Sequence, residues 1–512
     1  MALVWSKQGP VSFLFFSLLL TMFSVMSALP SQQTPSTFGT PLVLLVSFDG
    51  FRWDYLDRTD TPHFDSFVRE GVKAKYIFDT FASKTFPNHY SIATGLYQES
   101  HGIVGNVMYD PFSGANFSLS VKQNPVWWND GEPIWVTNQK QGGHSALIMY
   151  PGMEVKIRGQ YATYRLPEYN STFPFKERID MITNFFANDS VNLGLLYFHE
   201  PDHSGHVLGP DSPGMDAVLQ MCDETLGYLM EQLRNAGLDD RVDVIITSDH
   251  GMTPVSSNNF VQLDDFVDPS LYHYTNNNPV FGIWPFKESD VEVIYSKLQG
   301  VGPNVNAYLK EEIPARYHYR AHPHIAPIVL VAKEGWAIHR GNDTSRSYYL
   351  GNHGYNNSLM SMHPIFIARG PSFRRGLVVE PFENVNIYPL ICQILGLEPA
   401  PNNGSLGNVQ DLLRYSGVVK KSTTPETFTT ESGSNAKPPS STLSTSTIIG
   451  IAIAGAVLIV AVCLLVAMCA RQRSYRQPPR QYTPIADTSL DVADDDIDDS
   501  GFSSYNYPNT KI

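Results

Sequence analysis

The sequence predicts an α/β fold with a mostly parallel sheet between helices, and two observations carry that expectation. Leu42 to Phe48, Leu193 to Phe198 and Val242 to Thr247 are short runs rich in Val, Ile and Leu without strict alternation, as suits strands buried on both faces. Between the second and third runs, residues 213–236 carry Val218, Met221, Leu226, Leu229 and Leu233 at helical spacing. Strand, helix and strand in that order imply parallel pairing through a crossover helix.

Ahead of the first strand, Lys7 precedes an apolar run over residues 11–25, with small residues at Ser27 and Ala28. This order predicts a secretory signal peptide over residues 1–28, because the run is shorter than the roughly 20 residues that cross a bilayer. A single ectodomain is expected over residues 29–417, with no internal repeat. Residues 418–447 are dominated by Ser, Thr and Pro and read as an extended, O-glycosylated stalk. Residues 448–470 contain no charge and are long enough to span a membrane as a helix. Arg471, Arg473, Arg476 and Arg480 follow, and an excess of arginine marks the cytoplasmic side. A single-pass type I protein of the plasma membrane is therefore expected, with residues 471–512 as a disordered cytoplasmic tail. A lipid-anchor signal is the competing reading of the late apolar run, and the polar residues that continue after it argue against it.

Sequons at Asn116, Asn170, Asn188, Asn342, Asn356 and Asn403 all precede the span, in keeping with export and glycosylation. Of the four cysteines only Cys222 and Cys392 fall in the ectodomain, and their spacing leaves open whether they pair or stay as buried thiols. With at most one disulfide, the domain must hold itself together by its own core. The formal net charge of −14 includes the acidic run from Asp491 to Asp499 in the tail, so it says nothing about the ectodomain's partners.

Each of the three buried runs leads into metal-ligand chemistry: Asp49 after the first, Asp202 and His206 after the second, Asp249 and His250 after the third. Ligands of open α/β sheets bind at the carboxyl ends of strands, so these five side chains are expected on one rim. Asp202 and His206 stand four residues apart, close enough to hold one ion if the segment turns. Asp249 and His250 are adjacent, and Gly251 is expected to supply the turn that reorients them. His353, between Gly351 and Gly354, is a sixth candidate whose glycines permit close approach. Three carboxylates with three imidazoles suit zinc better than calcium or magnesium. Two such ions about 4 Å apart can serve displacement at phosphorus. Thr85, in Lys84-Thr-Phe-Pro-Asn-His-Tyr90, supplies a hydroxyl nucleophile, its alternative role being to cap the helix that follows.

Six motifs now stand in order: Ser47-Phe-Asp-Gly-Phe-Arg-Trp-Asp54, the Lys84 to Tyr90 segment, His101-Gly-Ile-Val-Gly-Asn106, Glu200-Pro-Asp-His-Ser-Gly-His206, Thr247-Ser-Asp-His-Gly-Met252 and Gly351-Asn-His-Gly-Tyr355. Together they closely resemble the ectonucleotide pyrophosphatase/phosphodiesterases of the alkaline phosphatase superfamily, most of all members 5 and 4. The resemblance implies an alkaline-phosphatase-like α/β/α sandwich with one catalytic domain. It implies two zinc ions, one held by Asp202, His206 and His353 and the other by Asp49, Thr85, Asp249 and His250. By the same resemblance Asn106 holds a phosphate oxygen together with the backbone N–H beside the nucleophile. Phe86 and Tyr169 would wall a nucleobase slot, with Tyr197 nearby. The chain departs from the family at Tyr150-Pro-Gly-Met-Glu154, where tryptophan usually stands first and aspartate fifth. The implied reaction is hydrolysis of a nucleotide phosphodiester or pyrophosphate, such as NAD or a dinucleoside polyphosphate, through a nucleotidyl-threonine to a nucleoside 5′-monophosphate. The implied partner is a small nucleotide, not a nucleic-acid polymer. Two other readings stand beside it: a choline phosphodiesterase acting on (lyso)phospholipids, and a cell-surface adhesion protein with incidental catalysis.

Overall fold

The computed structural model describes residues 40–188, 190–341 and 349–414. The expected signal peptide, stalk, membrane span and tail lie outside the described residues, as does Asn342. Among the described residues no helix is long and apolar enough to cross a membrane.

The three apolar runs form the strands the sequence predicts, β1 (Leu42–Phe48) among them, and every residue of β1 is buried. In chain order the other strands of the central sheet are β2 (Val72–Ala74), β3 (Ser145–Ile148), β4 (Tyr164–Arg165), β5 (Leu193–Phe198), β6 (Val242–Thr247), β7 (Phe366–Arg369) and β8 (Leu377–Val379). Across the sheet they run β8-β2-β7-β6-β1-β5-β3-β4. β1 pairs in parallel with both β5 and β6, and parallel pairing continues to β3 and β4. Antiparallel β7 breaks the pattern by joining β6 to β2, so the sheet is mixed but mostly parallel. Burial on both faces explains why β1, β5 and β6 show no polar alternation.

Helices close the two faces. They are α1 (Pro62–Glu70), α2 (Thr85–Thr94), α3 (Phe175–Asn188), α4 (Asp202–Leu208), α5 (Gly214–Asn235) and α6 (Ile387–Leu395). α1, α3 and α5 pack together, while α2 packs against α6. α5 is the crossover expected over residues 213–236, and it turns Val218, Leu226, Leu229 and Leu233 into the core. The result is an alkaline-phosphatase-like sandwich with a single catalytic domain. Cys222 and Cys392 are both buried as free thiols, which answers the question their spacing left open.

A second, smaller sheet is antiparallel and was not foreseen. It orders Tyr272–Asn277, Val280–Pro285, Ile328–Ala332 and Val305–Leu309 side by side, with helix Val291–Leu298 contributing Ile294 and Leu298 to its own core of Leu263, Phe281 and Leu330.

Candidate metal centre

β1 lies between β5 and β6, so the carboxylates that follow these three strands emerge side by side. Backbone bonds fix the convergence: Asp49 N donates to Phe198 O at 2.9 Å, and Asp202 N donates to Asp49 O at 3.0 Å. α4 then sets Asp202 and His206 one turn apart on one face, with His206 Nε2 3.3 Å from Asp202 Oδ2. His353 arrives from far along the chain and places Nε2 3.7 Å from Asp202 Oδ1. It can come so close because a Cβ on Gly351 would stand only 2.3 Å from Gly205 O. These three side chains form one candidate ion site, as the resemblance implies.

The second set also converges. His250 Nε2 lies 3.0 Å from Asp249 Oδ2 and 3.4 Å from Asp49 Oδ1. Thr85 Oγ1 is 3.5 Å from the same nitrogen. The turn expected of Gly251 is not what that residue provides: its φ is not left-handed, and instead a Cβ there would collide with Ser361 O at 2.2 Å. Close backbone approach, not a reversed turn, is the reason for glycine. The His250 and His353 rings stack at 3.5 Å between centroids, so the two sets share a wall.

Hydrogen bonds decide which nitrogen each imidazole offers. A carbonyl oxygen only accepts, so His206 Nδ1 on Gly351 O, His250 Nδ1 on Gly251 O and His353 Nδ1 on Ser83 O must each carry the proton. All three rings therefore point a bare Nε2 inward, the arrangement that orients metal-binding histidines. Asp49 Oδ1, Asp202 Oδ1, Asp249 Oδ2, His206 Nε2 and His353 Nε2 are buried without a hydrogen-bond partner. Buried polar atoms are seldom left so, and five in one cluster fit divalent cations that take N and O donors.

The electrostatics agree. Burial, then the neighbouring Asp249 and Asp202, push the Asp49 carboxyl well above the usual carboxylate range. Burial would also raise Asp249 and Asp202, but facing imidazoles outweigh it and hold both below that range. Three carboxylates this close demand positive charge, which is what a bound cation pair supplies.

Thr85 is the first residue of α2, and Lys84 rather than Thr85 occupies the cap position, so the capping role does not fall to Thr85. The Phe86 N–H of the same first turn donates to Asn106 Oδ1 at 3.1 Å, placing Asn106 beside the backbone next to Thr85. Of the slot residues, Phe86 is buried edge-on to Phe117 and Trp128, whereas Tyr169 is 37% exposed. Tyr197 belongs to the metal rim more than to the slot, since its hydroxyl donates to Asp49 Oδ2 at 2.6 Å.

Sequence reasoning missed two residues here. His89, one turn beyond Thr85, is buried with Nδ1 on Thr85 O and Nε2 on Ser47 Oγ, and so braces the Thr85 backbone with both nitrogens engaged. Lys122 lies in a loop with no motif around it, its Nζ 5.8 Å from the Phe86 ring and 5.9 Å from the Tyr169 ring. Glu154, the departure from the family pattern, stands 3.6 Å from Lys122 Nζ and accepts from Tyr169 N at 2.7 Å. Tyr150, the other departure, is buried and donates its hydroxyl to His89 O at 3.0 Å.

The family model for type I phosphodiesterase/nucleotide pyrophosphatase matches residues 43–356. The chain belongs to this family. Like its other members it is a phosphodiesterase/pyrophosphatase of the hydrolase class, with residue groups suited to metal ions. It is similar to human ectonucleotide pyrophosphatase/phosphodiesterase family member 5, with 44% identity covering 80% of this chain and 83% of that one. Similarity to mouse bis(5′-adenosyl)-triphosphatase enpp4 is 47% over 74% of this chain and 82% of the other. Among solved structures, murine ectonucleotide pyrophosphatase/phosphodiesterase 5 superposes with a TM-score of 0.71 at 45% identity, covering 73% of this chain and all of that one. An inactive threonine-to-alanine variant of the same murine protein, in complex with AMP, superposes with a TM-score of 0.70.

Proposed function

We propose that this protein is an extracellular, zinc-dependent nucleotide pyrophosphatase/phosphodiesterase, tethered to the plasma membrane by the span over residues 448–470. The observation that carries the reading is the cluster of five partnerless buried donor atoms next to the Thr85 hydroxyl. Asp202, His206 and His353 would hold one zinc, and Asp49, Thr85, Asp249 and His250 the other. When bound, the ion pair supplies charge neutralisation and makes a neighbouring hydroxyl more acidic.

The chain's own residues do the rest. Thr85 Oγ1 attacks phosphorus from the N-terminus of α2, where the helix dipole favours an anion; the Oγ1–P bond forms as the P–O bond to the departing half of the substrate breaks, and the hydroxyl proton passes to water. A phosphate oxygen would take the Phe86 N–H over from Asn106, whose uncharged amide suits the single charge of a diester better than the two of a monoester. Water then releases the threonine-linked nucleotide as a nucleoside 5′-monophosphate. Phe86 and Tyr169 would face the base, and NAD or dinucleoside polyphosphates are the candidate substrates. The name of mouse enpp4 and the AMP bound to the murine relative support a nucleotide. Against a choline ester stands Lys122, whose ammonium already faces both rings where a quaternary ammonium would have to sit. An adhesion protein would have no use for a complete donor set with its nucleophile.

Removal of metal by a chelator, verified by elemental analysis, is expected to abolish hydrolysis of a nucleotide p-nitrophenyl ester, and zinc to restore it. Full turnover by the metal-free protein would sink the proposal.

A further inference from the structure

A cleft of about 740 Å³ is lined by none of the proposed zinc ligands. Asn357 and Ser358 form part of its wall. These residues complete the sequon that begins at Asn356. Arg316, also in the wall, donates through Nη1 to Asn356 Oδ1 at 3.0 Å and to Ser358 Oγ at 2.7 Å. Ser358 N donates to the same Oδ1 at 3.0 Å. The amide oxygen is thus held by two donors, which fixes the side chain at the edge of the cleft. Among the described residues nothing bonds Asn356 Nδ2, the atom a sugar would take.

The lining has the chemistry of a saccharide site. Tyr97 and His318 stack at 3.9 Å and 6° and offer flat apolar area for the C–H face of a sugar ring. Glu383, which accepts from Tyr97 Oη at 3.0 Å, and Asp411 offer carboxylate acceptors for sugar hydroxyls. A few convergent polar groups around aromatic walls, in a cavity between about 300 and 1,000 Å³, are typical of small-molecule sites.

We propose that the cleft is the seat of this chain's own N-linked glycan on Asn356, the inner sugars lying against the Tyr97 and His318 pair within reach of the Glu383 and Asp411 carboxylates. The proposal rests on the export reading above. Attachment forms the bond from Nδ2 to sugar C1, while the C1–O bond to a lipid-linked diphosphate breaks and Nδ2 gives up one proton. The inner sugars would then be shielded from processing enzymes, unlike those on the exposed Asn116 and Asn170.

Full-length protein from a secretory cell line, analysed by site-resolved glycopeptide mass spectrometry, tests this. Chains at Asn356 should remain oligomannose and sensitive to endoglycosidase H, while those at Asn116 and Asn170 are processed. His318→Gly, which removes one stacked ring at a residue whose φ of 48° suits glycine, should shift the Asn356 chains to the processed class and leave the others unchanged. An unmodified Asn356 beside occupied sites, chains there as processed as those at Asn116, or no response to His318→Gly would each overturn the inference. If none of the sequons is modified, the export reading falls and takes this one with it.

Discussion

Asp243 and Asp249 lie at opposite ends of β6, both buried, yet the protein shifts their acidity in opposite directions. At the start of the strand, Asp243 is compensated chiefly by Ser372, whose N and Oγ donate at 2.8 and 2.7 Å, with a smaller contribution from the charge of Arg414. Burial outweighs those bonds and pushes its carboxyl up to about 6. At the far end, burial of Asp249 is outweighed by His250 and His89, so it stays below the usual range. The same side chain at similar depth is a weakened acid at one end of the strand and a strengthened one at the other. What differs is the convergence of neighbouring strand ends, which brings imidazoles and further carboxylates to one edge only.

Four substitutions test how far that division holds. Thr85→Ala, at the charged edge, should lower kcat/KM by on the order of 10⁴ while AMP binding, followed by calorimetry, changes little. The inactive threonine-to-alanine variant of the murine relative, which binds AMP, sets the pattern. Asp249→Asn should cost roughly 10²–10³ in turnover and reduce the zinc retained per chain, measured by elemental analysis. Unchanged zinc would mean that this carboxylate is not a ligand. Tyr169→Ala, beside the rim, should raise KM for nucleotide substrates by about 1–3 kcal/mol of lost stacking and leave kcat nearly alone. Asp243→Asn should not change turnover at all. Its effect is on stability: a carboxyl raised in the folded state favours folding most at low pH, and that contribution is lost as pH rises through about 6. Urea unfolding should show a decline of roughly 1–3 kcal/mol between acid and neutral pH in the natural protein, flattened in the variant. A steep slope that survives in Asp243→Asn would assign the effect to another group.

The central strands were legible in the sequence because a strand buried on both faces is rich in Val, Ile and Leu without strict alternation, and β1, β5 and β6 begin and end where those runs do. The ligands were legible because they follow such runs directly. The small antiparallel sheet was not: Tyr272–Asn277 and Val305–Leu309 are interrupted by polar residues such as Asn276 and Asn306, and only tertiary pairing with the apolar Val280–Pro285 and Ile328–Ala332 makes them strands. His89 and Lys122 were missed for a related reason. Each matters through a neighbour distant in sequence, Ser47 for the one and Tyr169 for the other, and no local spacing records that contact. The role of Gly251 was misread because a glycine needed for tight packing looks, in one dimension, like a glycine needed for a turn.

The proposed ligands run from Asp49 to His353, and the last of them reaches its place only when Gly351 seats against Gly205. No shorter nascent chain can gather the whole set, so capture of the proposed ion pair would have to wait until most of the domain has been synthesised and folded. Metal loading would then act as a late inspection of the fold: a molecule nicked or misassembled anywhere along that span would leave the assembly line empty-handed.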